Sequence, residues 1–484
     1  MESYLKMRRQ IFDLLQATWR ALFTAVLLAV TPCAWAQVSP VVPSPSSDLT
    51  IVSVVQDAER DYPLIHVTQE ELNAAVANIR LARTAYLPRV DGIAQFNRAT
   101  RNNVFGALLP ENIVPSISGP VIGSNNGGSV WGSATGLLVN WQPFDFGLRH
   151  ANVQAAIAAK DKADATVQRS QLEVAAASAD AYLTVLAATQ TKRAAQTAVD
   201  SWETLRQSVH ALAAAQLRPG ADESRIEAEK AAAKTQLALA EEAVAMSKAT
   251  LAKFLLKPDT GGIDQVATRM EAKLPAIPDE GLPFLPTANP IMAEQHAAVA
   301  QSAAELHATE RSWVPQFNLE GAAYARGTGA ETNGQRLDGA NGLAPNIGNY
   351  AVGVNITFPF LDFASIHARE ASQASTLKAA KANEQLTDRT LQEQFAQAQA
   401  ALRATRAIAE NTPIELSAAQ TAFAQANARY KAGLSPIDDV AQTQRLLVQA
   451  EIDDSIARLN VWRAFLQLQS VRGDLQPFLQ AASQ

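Results

Sequence analysis

The chain has 484 residues, of which 41 are basic and 47 acidic; 18% are charged and 6% aromatic. A formal charge of −6 without any basic tract excludes a nucleic-acid binder, and a single cysteine excludes a disulfide scaffold. The length suits two or three ordinary domains or one large one, and alanine-rich runs such as "VAAASADAYL" favour long, closely packed helices.

The N-terminus reads as an export signal over residues 1–36. Lys6, Arg8, Arg9 and Arg20 precede the apolar run "ALFTAVLLAV", and Ala34 and Ala36 form a small-x-small cleavage site before Gln37. Ten apolar residues are too few to span a bilayer as an anchor. Cys33 follows Pro32 rather than the small residue a lipoprotein signal uses, so lipidation there is disfavoured. Cleavage would remove four of the 41 basic and two of the 47 acidic residues, leaving a charge of −8. Beyond it no run of about 18 uninterrupted apolar residues occurs, so any membrane crossing must use strands.

Residues 37–48, "QVSPVVPSPSSD", form an extended Pro/Ser arm. Two halves with the same order of elements follow, 49–257 and 285–472, separated by a linker over 258–284; 473–484 is read as a tail. Each half opens with a helix interrupted by proline, at Pro63 and Pro290, and then a proline, Pro88 or Pro315, opens a strand. A Gly/Asn-rich loop and a second strand come next. Both second strands end on Pro-Phe followed by Asp-Phe: Pro143, Phe144, Asp145 and Phe146 against Pro359, Phe360, Asp362 and Phe363. A long helix then runs over about 148–216 or 364–431, turns at Gly220 or Gly433, and is answered by a returning helix. Ile452, Ile456, Leu459, Trp462 and Leu466 share one face of the last of these. Pro413 should break or bend the second long helix, or divide it into two stacked ones.

In the last strand Tyr350, Val352, Val354, Ile356 and Phe358 alternate with Ala351, Gly353, Asn355 and Thr357. This is the period of a strand with one apolar and one polar face. The first strand alternates less cleanly, since Ile93 falls on the side of Arg89 and Asp91. Trp131, Trp141, Phe144, Phe358 and Phe360 gather near strand ends, as an interfacial girdle would. Four strands cannot close a membrane barrel, which needs about eight. Open edges in lipid cost several kcal/mol per unsatisfied group. Several chains must therefore share one barrel, with Tyr350, Val352, Val354, Ile356 and Phe358 facing lipid.

The tandem repeat, the proline strand starts, the Pro-Phe-x-Asp ends and "RYKAGLSPIDDVAQTQRLL" together resemble the TolC-type outer membrane efflux proteins over some 420 residues. The resemblance implies a mainly α protein with a membrane β-barrel. Three chains would share twelve strands, four from each, continuous with an α-helical periplasmic tunnel. It further implies an outer-membrane location, a periplasmic adaptor and an inner-membrane pump of RND or ABC type as partners, and drugs, metals or proteins as cargo. No cofactor or metal is implied. In the family a ring of aspartates near the second turn helps to close the tunnel. Aligned on Tyr430 and Gly433, the first ring position is Asp439. The second is Gln442, with Asp438 adjoining as a substitute. Tyr430 matches the tyrosine of the closing network, whereas Ser435 stands where the family has an arginine, so that network is not intact here.

Ser435, Pro436 and Asp438 also fit an N-cap, first position and first-turn acid, and Asp222 and Glu223 after Gly220 fit the same roles. The run "RIEAEK" reads as exposed helix surface, and His296 and His307 as a solvated helix face. The six histidines show no paired ligand spacing, and no H-E-x-x-H, P-loop or G-x-S-x-G occurs, so no enzyme chemistry is indicated. The competing reading is a soluble periplasmic coiled-coil adaptor, but adaptors carry one helical hairpin where this chain carries two.

Overall fold

The computed structural model describes residues 49–100, 128–214, 220–255, 270, 274–275, 284–331, 335–358 and 362–483. The leader, the Pro/Ser arm, most of the first strand loop and Phe360 lie outside the described residues.

Thr50 starts helix α1 (Ile51–Asp61) with a reciprocal cap: its hydroxyl accepts from the Ser53 N–H at 3.1 Å, and Ser53 Oγ accepts from the Thr50 N–H at 3.0 Å. Ile51, Val54, Val55 and Ala58 follow at helical spacing and are all buried. Pro63 then opens α2 (Pro63–Thr84), where its missing N–H costs nothing.

Four antiparallel strands form one sheet in the order β1 (Arg89–Thr100), β2 (Ser129–Phe144), β3 (Gln316–Thr328) and β4 (Ile347–Thr357). Register makes the two faces unlike. Val90 sits beside Val139, which sits beside Gly321 and then Val352; Leu319 sits beside Val354 and Phe317 beside Ile356. This face is apolar across all four strands, and its large side chains are exposed, Tyr350 at 85% and Val352 at 76%. The other face carries Asp91, Gln95, Asn140, Glu320 and Asn355, yet its Ala134, Leu138, Ala322 and Tyr324 are buried. Among the described residues no helix packs over the sheet. The burial therefore comes from side chains crowding one another on the polar side. Ile93 packs on the same cluster, which explains why β1 breaks its alternation. Gly136 is required there, since a Cβ on it would lie 2.5 Å from the Cβ of Tyr324.

Two long helical hairpins follow, α3 (Leu148–Ala214) with α4 (Gly220–Leu255), and α6 (Phe363–Lys431) with α7 (Ile437–Arg472). At ~1.5 Å per residue α3 and α6 are each about 100 Å long. α5 (Pro290–Glu310) opens the second half and packs on both α3 and α6, while α2 packs on α3. By composition α3 holds a stretch apolar enough to cross a bilayer, but its Leu172, Tyr182, Leu183 and Leu186 are packed in the protein core. α6 runs unbroken through Pro413, so the proline neither divides nor ends it. Pro413 is on the exposed side, and its neighbour Thr412 donates from the buried side to Asp454 of α7 at 3.0 Å.

The main core joins α1, α3 and α7 through Tyr182, Leu186, Trp462 and Phe465. Residues 476–483, in the segment read as a tail, form a helix, α8 (Gln476–Ser483), whose Phe478 is fully buried against Trp462 and Phe465. Asn289 closes this end. Its Oδ1 accepts from the Ile291 N–H at 2.8 Å to cap α5, and its Nδ2 donates to the Val471 carbonyl at 2.7 Å.

Candidate functional site

The far ends of the two hairpins meet around Tyr430. Val209 of α3, Ile226 of α4, Tyr430 of α6, and Ile437, Val440 and Ala441 of α7 form one buried cluster, so all four long helices contribute. The α6–α7 turn exists because Gly433 adopts φ +79°, which a side chain would strain. Its N–H donates to the Tyr430 carbonyl and that of Leu434 to the Arg429 carbonyl. Gly220 is the first residue of α4, and the turn that precedes it lies outside the described residues.

The N-cap assigned to Ser435 is also corrected. α7 starts at Ile437, Pro436 is the extended residue before it, and no side chain caps the helix. Ser435 Oγ is buried without a hydrogen-bond partner. Asp438 and Asp439 therefore stand second and third in the helix. Both are exposed, as is Gln442 three residues on, so Asp439 and Gln442 share a helix face. Their surroundings differ. Asp438 is paired at 2.6 Å with Arg225 of α4, whereas the Asp439 carboxylate has no ion pair or hydrogen bond among the described residues.

Three links tie α4 to the second hairpin at this end. The buried Tyr430 hydroxyl donates to Asp222 at 3.2 Å, Arg225 pairs with Asp438, and Arg445 holds Glu229 with two N–H groups, its Nε at 3.1 Å. A second group ties α4 to α3: Lys230 Nζ is 2.8 Å from Glu203, Arg206 Nε is 3.8 Å from Glu227, and His210 Nδ1 is 2.7 Å from Glu223, while within α3 Arg206 Nη2 is 2.9 Å from Glu203. Hydrogen bonds from Arg206 above all, then from Lys230 and Gln207, hold the Glu203 carboxyl well below the usual carboxylate range. The run 225–230 is thus a clasp rather than idle surface. Arg225 and Glu229, four residues apart, meet α7, and Glu227 and Lys230, three apart, meet α3. Asp222 likewise serves as the acceptor for Tyr430. His296 is exposed, as expected of a solvated face, and its Nδ1 meets Glu384 of α6.

At the opposite end the "PFDFGLR" turn joins sheet to helices. Arg149 donates from Nε to Asp145 at 2.8 Å, from Nη1 to the Ala85 carbonyl at 3.0 Å and from Nη2 to the Pro143 carbonyl at 3.2 Å, and it stacks 4.7 Å from the Tyr86 ring. The pair is buried. Burial acts to raise the Asp145 pKa, but the N–H groups of Arg149 and Gly147 outweigh it and leave the carboxyl below its ordinary value. Trp141 Nε1 donates to the Tyr86 carbonyl at 3.1 Å, and Phe144, Phe146, Phe317 and Phe358 stand close by, all at the helix-side rim of the sheet. Trp131 lies at the other rim, where Arg98 stacks on it.

The sequence profile of the outer membrane efflux protein family matches residues 54–255 and 287–474. The chain belongs to the outer membrane efflux protein family. Membership places it among transport channels of the outer membrane. None of the curated proteins compared with it is significantly similar in sequence. Solved structures share the fold of this family member. The outer-membrane channel OprN is 19% identical with a TM-score of 0.70, over 87% of this chain and 89% of its own. The Campylobacter jejuni CmeC outer membrane channel is 14% identical with a TM-score of 0.70, over 91% of this chain and 90% of its own. The open state of the Neisseria gonorrhoeae MtrE outer membrane channel is 18% identical with a TM-score of 0.68, over 88% of this chain and 89% of its own. Such identities carry the architecture and leave this chain's partners and cargo to be argued from its own residues.

Proposed function

We propose that three copies of this chain form a passive exit duct through the outer membrane, closed at the hairpin tips. It would receive cargo from an inner-membrane pump through a periplasmic adaptor. The single observation that carries the reading is the sheet. One face is apolar on all four strands and exposed, the other carries the polar side chains, and β1 and β4 are both unpaired edges. In water such a face is a liability, and in lipid such edges are untenable. Pooling strands between copies resolves both. Two copies reach the minimum of about eight strands, and the family resemblance sets the number at three, giving twelve. The apolar rows from Phe317 to Ala325 extend about 25 Å along the strand, the right order for a hydrocarbon band.

At the tips Asp439 fits a ring residue better than Asp438, because Asp438 is already neutralised by Arg225. Near a threefold axis one free carboxylate becomes three, which attracts cations and repels anions. Single-channel recording of the purified protein in a planar bilayer tests this, together with the mass of the detergent particle. The expected result is a particle of three chains with small cation-selective currents whose selectivity falls in Asp439→Ala. A one-chain particle would overturn the duct, and unchanged selectivity would remove Asp439 from the constriction.

A further inference from the structure

We propose that the internal repeat specifies the seam between neighbouring copies: β4 of one copy pairs with β1 of the next with Gly353 opposite Asn97, and α6 seats α2 of that next copy with Leu386 against Val67. The inference rests on the shared-barrel reading and adds the residue-level fit.

The two hairpins start their ladders at equivalent points. Arg89 faces Asn140 directly after Pro88, and Gln316 faces Thr357 directly after Pro315. Superposing these pairs sets Asn97 on Tyr324 and Gly353 on Gly136. Inside the chain the joint between the two hairpins is β2 on β3, with Gly136 opposite Tyr324. Repeating that joint between copies sets Gly353 opposite Asn97. Gly136 is glycine because Tyr324 leaves no room for a Cβ, whereas a Cβ on Gly353 meets nothing within 4 Å in the single chain. A mid-strand glycine weakens a strand unless something approaches it closely, and the neighbouring β1 would. The same register sets Val354 beside Phe96 and Ile356 beside Ala94 on the apolar face, with Asn355 beside Gln95 on the polar one. A slip of one residue would turn every side chain of the edge strand to the wrong face.

The helices repeat the logic. α5 packs on α6 of its own half and on α3 of the first half, while α2 packs on α3 and has no second long-helix partner among the described residues. The place equivalent to α5 on α3 is α2 on α6 of another copy. In the internal contact Glu294 of α5 binds Arg169 at 2.6 Å and accepts from Thr166 at 2.8 Å. Aligning Pro63 with Pro290 sets Val67 at the place of Glu294. Aligning Asp145 with Asp362 sets Leu386 at the place of Arg169. Both members of the ion pair have become apolar, and both are open in the single chain, Val67 at 52% and Leu386 at 62% exposed. Each alone is a stray surface hydrophobe, but facing each other they bury a contact.

Cys33 is the only cysteine, so Cys33→Ser gives a clean background for cross-linking. Asn355→Cys with Gln95→Cys places thiols on directly opposed residues, about 4.5–5.5 Å apart at Cα and within disulfide reach. Asn355→Cys with Asn97→Cys or with Ile93→Cys gives diagonal pairs about 7–8 Å apart, beyond it. A bond within one chain is excluded by two intervening strands, about 14 Å. Mild oxidation in the membrane should give cross-linked dimers and trimers for the first pair alone. Separately, Val67→Glu should weaken assembly roughly tenfold by stranding a charge, and adding Leu386→Arg should restore it by rebuilding the internal ion pair. Preferential cross-linking of a diagonal pair, or no rescue by Leu386→Arg, overturns the proposed seam while leaving a multi-chain particle intact. No cross-link from any pair, together with a one-chain particle, would instead sink the shared barrel.

Discussion

Removing the Tyr430 hydroxyl tests the closure of the tips with little collateral change. Tyr430 is 1% exposed in the cluster shared by all four long helices, so Tyr430→Phe keeps the packing and deletes the bond to Asp222. A hydrogen bond to a charged acceptor contributes about 1.5–3 kcal/mol. At 3.2 Å this one is long for an O–H donor, so ~1 kcal/mol per chain is the working figure. If opening the tips separates α4 from α6 in all three copies together, the shift is ~3 kcal/mol, about a hundredfold in the closed-to-open ratio. The assay is open probability in a planar bilayer. Tyr430→Phe and Asp222→Asn should each raise it, and the double variant should add little, because both remove the same bond. The hydrogen-bond effect should persist in high salt, whereas the exposed Arg225–Asp438 pair should weaken there. Open probability within threefold of wild type for both single variants, with melting unchanged, would refute the clasp as a closing device.

Arg149→Leu should cost about 3–5 kcal/mol, because it leaves the buried Asp145 without its counter-ion and two carbonyls without donors; chemical denaturation of the detergent-solubilised protein would show it. Asp145 has a depressed pKa, so its share of stability is present above the ordinary carboxylate value near ~4 and lost as pH falls through the folded value. The acid side of the stability profile should accordingly flatten in Asp145→Asn. Glu451 behaves oppositely. Burial raises its pKa, so its charged form is a burden at neutral pH. Glu451→Gln should raise the melting temperature at pH 7 and lose that advantage in acid. Asn289→Ala should lose roughly 1–3 kcal/mol by uncapping α5 and leaving the Val471 carbonyl unpaired, read as a lower unfolding midpoint.

Much of the architecture was legible because it is written in local signals. Prolines stand ahead of α2, β1, α5 and β3, period two marks β4, and Gly433 marks a left-handed turn. Features set by distant partners were not legible. The run 225–230 shows only one side of each ion pair, and its partners lie on α3 and α7, far off in sequence. Ser435 has the composition of a cap, but its side chain turns into the protein and the helix starts two residues later. Ile93 contradicts a two-faced strand until it is seen to pack on an apolar cluster within the polar side. Pro413 breaks helices in isolation, yet here the buried Thr412–Asp454 bond and the packing of α7 hold the helix through it.

The places where the two halves differ carry more functional information than the places where they agree. A duplicated unit that only had to fold would keep the same contacts at equivalent positions. Instead the Glu294–Arg169 pair, made within one chain, is matched by the exposed Val67 and Leu386. The ionic contact occurs where the partner belongs to the same chain and is present as soon as the chain folds, and the apolar pair where, in the proposed seam, the partner would arrive from another copy. An unpaired buried charge is a heavy penalty for a chain still waiting for its neighbours, whereas an exposed valine or leucine is tolerable until the seam forms. If the proposed seam forms, the divergence at Val67 and Leu386 fits folding of each chain first and closure of the barrel second.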